Sequence, residues 1–125
     1  MPFSTLRHGS FSWGPRLAAL WAGLSAGPLA WAALLQTNYV LSYVACEQRH
    51  AWMLHAAAGM ALVLVALGAL AAWTAGPPLW GSKPTSMAET RARFMAIGGL
   101  ALCAWFALVI VATEIPVFLL NPCTP

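Results

Sequence analysis

Three long apolar stretches constrain this chain more than any other feature: about Arg16 to Cys46, about Ala51 to Trp73, and about Arg93 to Leu120. Each is long enough to cross a bilayer, which takes ~20 apolar residues. Together they take up about two thirds of the 125-residue chain, and the rest is split among short segments. Composition agrees: 61% of residues are hydrophobic and 7% are charged, against about 25% charged in soluble domains. The mean hydropathy is +0.74. Neither a soluble domain nor a disordered chain fits. The expectation is an all-α integral membrane protein with three transmembrane helices and no soluble domain. In lipid every backbone polar group has to be satisfied internally, so each stretch should be helical.

The expected boundaries are an N-terminal segment 1–15, a first span 16–46, a turn 47–50, a second span 51–74, a loop 75–91, a third span 92–120 and a tail 121–125. The second apolar run, 23 residues, measures ~34 Å as a helix and suits one crossing. The longer first and third spans should tilt or project, and Pro28 and Pro116 should bend them. The loop carries Gly76-Pro77-Pro78 and Gly81-Ser82-Lys83-Pro84 and reads as a connector. Ser86 with Glu89 resembles a capping box leading into the third span. Ala30-Trp31-Ala32 has the pattern of a leader cleavage site, but the apolar run continues past it and reads as a span.

Basic residues set the expected orientation. Arg7, Arg16, Lys83, Arg91 and Arg93 flank one side and Arg49 the other. The positive-inside rule then places the N-terminus and the second loop in the cytoplasm, and the first turn and the C-terminus outside. The net charge of +3 is what this topology requires. Lipid headgroups are its natural counter-charge, and nothing in it points to nucleic acid.

Under this topology Cys46 and Cys123 both lie just beyond span ends on the outer side, where an oxidising compartment favours a structural disulfide. The alternative is a copper site, since Cys46, His50, Met53 and Cys123 offer thiolate, imidazole and thioether ligands. Their spacing matches no tight metal signature. Cys103 falls mid-span and reads as a packing residue.

Counting inward from the outer ends, Gln36, Asn38, His55 and Glu114 fall in one layer, ~12–15 Å deep by helical rise. Tyr39, Ser42 and Tyr43 extend this polar face. Such residues can fix helix register by interhelical hydrogen bonds. Alternatively, His55 and Glu114 form a proton path or touch a cofactor, as an ionisable group inside a membrane suggests. A bis-histidine haem within one chain is disfavoured: His50 and His55 are ~140° apart on a helix, and His8 is on the other side. No Ser-His-acid set, G-x-S-x-G, HExxH or phosphate-binding glycine loop occurs. A catalytic residue is not expected.

Small residues mark packing faces. Gly23 and Gly27 form a GxxxG pair in the first span, and Gly99, Cys103 and Ala107 form a ladder in the third. Gly59, Ala66 and Gly68 stand in the second. Four-residue spacing of small residues lets helices approach closely in lipid. They occur on more than one face, so some are expected to meet a partner chain. Trp13, Trp21, Trp52, Trp73 and Trp80 fall at span ends, as in an aromatic belt, while Trp31 and Trp105 lie deeper.

The run Leu35-Gln36-Thr37-Asn38-Tyr39-Val40-Leu41, then Cys46, then Trp52-Met53-Leu54-His55, closing on Ile115-Pro116-Val117-Phe118-Leu119-Leu120-Asn121-Pro122-Cys123, resembles small three-span bacterial membrane proteins encoded beside haem–copper cytochrome c oxidase genes. The resemblance covers most of residues 16 to 123. It implies a non-catalytic accessory subunit or assembly helper of a respiratory oxidase in the bacterial cytoplasmic membrane. Larger integral subunits and lipid would be its partners. Haem and copper are expected in the partner complex and no cofactor in this chain. Two further readings stay open: copper delivery through the outer cysteines, and a small transporter or quinone-binding protein using His55 and Glu114.

Overall fold

The computed structural model describes residues 3–48, 50–75 and 87–120, with side chains described from Gly14 onward. Among the described residues the fold is three helices: α1 (Phe3–Gln48), α2 (Trp52–Ala75) and α3 (Met87–Leu119). All three are long and apolar enough to cross a membrane, over Gly14–Gln48, Trp52–Ala75 and Met87–Leu119. Helix α1 begins well before Arg16 and runs through Pro15 and Pro28 without a break. Helix α3 begins at Met87, with Glu89 in its first turn, rather than at 92. An acidic residue there suits the positive end of the helix dipole. Ser86, the expected cap, lies outside the described residues.

Only a few residues separate α1 from α2, so the two must run antiparallel as neighbours. The His50 amide donates to the Ala45 carbonyl at 3.0 Å, and the Met53 amide donates to the His50 carbonyl at 3.2 Å. These bonds close one helix end and open the next. At the opposite end Arg16 donates from Nη2 to the Ala75 carbonyl at 3.5 Å. That places a cation on the carbonyl-rich C-terminus of α2.

Each helix buries one narrow seam. In α2 it is Leu54, Ala58, Ala61, Val65, Gly68, Ala72 and Ala75. In α3 it is Ala92, Ala96, Gly99, Cys103 and Ile110. In α1 it includes Leu20, Gly23, Gly27, Ala30, Leu34 and Ala45. All three follow the alternating three- and four-residue spacing of coiled-coil seams. Their residues are mostly small, so contact is made by backbones as much as by side chains.

The tightest point brings together one glycine from each helix. A Cβ on Gly23 would stand 2.7 Å from the Ala72 Cβ and 3.1 Å from the Gly68 carbonyl. One on Gly68 would overlap the Ala26 Cβ, and one on Gly99 would lie 3.1 Å from the Gly23 carbonyl carbon. Beside this crossing the Cys103 thiol donates to the Gly23 carbonyl at 3.3 Å. One turn on, a Cβ on Gly27 would meet the Phe106 ring at 3.1 Å, and Ala107 packs against the same core. The GxxxG pair and the α3 ladder are therefore spent on contacts inside the chain. Gly59 differs: a Cβ there would meet nothing within 4 Å.

Candidate functional site

The intramembrane polar layer divides. His55 on α2 and Glu114 on α3 meet, with Nδ1 and Oε2 2.7 Å apart. When the imidazole is neutral, Nδ1–H donates to the carboxylate; when it is protonated, the two form an ion pair with no net charge. Net neutrality matters at this depth, because an uncompensated charge in hydrocarbon is costly. The Glu114 side chain is 13% exposed and that of His55 36%. The carboxylate thus stands behind an imidazole that reaches the surface. A carboxylate on one ring nitrogen fixes the orientation of the ring.

Phe118, one turn beyond Glu114, stacks on the imidazole with centroids 4.5 Å apart and planes at 28°. The sequence reading missed this contact. The four-residue offset from Glu114, which puts both on one face of α3, was the available signal.

Asn38 and Gln36 part company. Two positions along a helix rotate a side chain by about 200°. Asn38 turns inward, with its Oδ1 buried and without a hydrogen-bond partner. The Gly23–Gly99 contact sets the register of α1 against α3, and 15 residues further along each helix it brings Asn38 level with Glu114. The second carboxylate oxygen, Oε1, is likewise buried and unpartnered. Gln36 shares this depth but faces outward and is exposed. The inner layer is therefore Asn38, His55 and Glu114.

The rest of the polar face is quiet. The Ser42 hydroxyl donates to the Tyr39 carbonyl at 2.9 Å, and the Tyr39 and Tyr43 rings meet edge to face at 6.2 Å. Trp31 packs on Phe106 with centroids 5.7 Å apart, whereas Trp105 is exposed. In the alternative copper set, Cys46 and Met53 are half-buried and His50 is exposed. Cys123 lies outside the described residues, and with it the expected disulfide. Among the described residues no three His, Cys, Asp or Glu side chains gather as metal ligands.

Apolar grooves run beside the core, among them one of about 300 Å³ lined by Ala26, Leu29, Ala30, Ala33 and Leu64. One of about 310 Å³ lies between α2 and α3, lined by residues that include Ala66, Ala69, Cys103, Ala104 and Ala107. Another of about 150 Å³ lies between α1 and α2, lined in part by Ala30, Ala33, Ala57 and Ala61. Alanines alternate on these walls with larger side chains, Leu62, Val65 and Leu100 in the groove between α2 and α3 and Leu34, Met60 and Leu64 in the groove of about 150 Å³.

No protein-family model, curated protein or solved structure matches this chain.

Proposed function

We propose that the chain is a non-catalytic accessory subunit of a bacterial respiratory membrane complex, stabilising it by helix packing. The partner that the sequence resemblance implies is a haem–copper cytochrome c oxidase. In this reading the N-terminus and the 75–91 loop face the cytoplasm and Cys46 pairs with Cys123 outside. Haem and copper belong to the partner subunits. The observation that carries the proposal is the alanine-lined groove between α2 and α3. Its walls allow a helix from a larger subunit to come close, while the chain's own glycines hold its three helices together.

Purification of the tagged chain in mild detergent, with mass spectrometry of what accompanies it, tests this reading. Oxidase subunits are expected in stoichiometric amounts. Recovery of the chain alone, or with traces of assembly intermediates, would overturn the proposal.

A second reading is favoured by one observation, the 2.7 Å contact between a surface-reaching His55 and a sheltered Glu114. Such a pair can pass a proton or hold a quinone carbonyl, as a small transporter or quinone-binding protein requires. It predicts that Glu114→Gln abolishes flux or turnover and leaves assembly intact.

A further inference from the structure

Gln36 is exposed on α1, some ten residues below its outer end, and bonds to no described group. Its neighbours in the span avoid this situation. The hydroxyls of Ser25 and Thr37 donate to the carbonyls of Trp21 and Ala33, each at 2.7 Å, within their own helix. The longer glutamine amide has made no such bond, and in hydrocarbon a free amide seeks a partner. The residues around it are ordered. Leu29, Ala33, Gln36, Val40 and Tyr43 are all exposed, and their alternating four- and three-residue spacing is that of a coiled-coil seam. They occupy an arc of about 80°, on the side of α1 away from Leu34 and Asn38. Helix α1 therefore carries two seams, one spent on α2 and α3 and one facing out.

We infer that this outward seam of α1 pairs with the same seam of a second copy of the chain, through reciprocal Gln36–Gln36 amide hydrogen bonds. The chemistry favours a copy over an unrelated helix. A primary amide is both donor and acceptor, so it is satisfied by its own kind across a two-fold axis. Copies inserted with one topology present Gln36 at equal depth, so the amides meet without any shift in register. A single polar residue in an apolar seam is also a known device for setting register and oligomeric state. Ala33, one turn earlier, leaves room for the helices to close. The inference does not depend on which complex the chain joins.

Two measurements on the full chain test it. Oxidative cross-linking of Ala33→Cys in native membranes should give a covalent homodimer beyond the parent's background. Ala66→Cys, on the exposed side of α2, should not. In vesicles carrying donor- and acceptor-labelled copies, energy transfer should report association. Gln36→Leu should weaken it roughly eightfold, a little under threefold for each of two hydrogen bonds. Leucine at a lipid-facing position preserves the fold, and unchanged helicity checks this. Absence of energy transfer in the parent, association unaffected by Gln36→Leu, or Ala33→Cys cross-linking only to a different protein would each overturn the inference.

Discussion

Gly68→Ala should destabilise the bundle by about 1–3 kcal/mol, the usual cost of forcing extra atoms into a packed core, and Gly68→Leu by more. The new Cβ would overlap the Ala26 Cβ, with the Ala22 carbonyl and the Cys103 sulfur close behind. Relief requires α1 and α2 to separate, which also opens the contact of Gly23 with Ala72. Helical content should survive, because each span satisfies its own backbone in lipid. The loss should therefore appear in tertiary contact: a lower midpoint of thermal or denaturant unfolding in detergent, and less proximity between labels on α1 and α2. Gly59→Ala is the matched control, since its Cβ meets nothing within 4 Å. Its effect should be neutral or stabilising, by up to about 1 kcal/mol, because alanine is the better helix former. Equal losses at the two glycines would mean that the three-helix crossing does not hold the fold.

His55→Ala should cost about 1–3 kcal/mol, by leaving Glu114 sheltered with neither oxygen partnered. The range is kept below that of a fully buried pair because the imidazole is 36% exposed. Glu114→Leu should cost much less, as it removes the charge that needs the partner. The double variant His55→Ala with Glu114→Leu should then be more stable than His55→Ala alone, which is the signature of coupling in a double-mutant cycle. Additive single effects would show that the 2.7 Å contact contributes nothing to stability, and its role would be sought in proton movement alone.

How much of this was legible beforehand differs from residue to residue. The three spans could be read directly, because lipid demands long apolar helices whatever their neighbours. Relative level is legible too, since helical rise is constant: counting from the span ends brings His55 level with Glu114, and the two are in contact. Rotation about the helix axis was the weak point. Counting along the helix groups Gln36 with Asn38, although two residues of offset put them on opposite faces. A helical angle would have separated them but not said which one faced inward.

The same limit applies to the glycines. Gly59 and Gly68 are on one helix and look alike in sequence, yet one is bare and the other sits at the centre of the crossing. The contact of His55 with Glu114 needed the register of α2 against α3, which a long connector left open.

Hydrophobicity and a fixed rise per residue are enough to read three membrane-length helices and the spacing of the polar groups along each. Which small residues touch, which polar groups meet and which amide is left outside became visible only in the packed bundle. Those outcomes depend on how three nearly uniform apolar cylinders are rotated against one another. In this chain a few glycines decide that rotation by permitting approach where any larger side chain would forbid it.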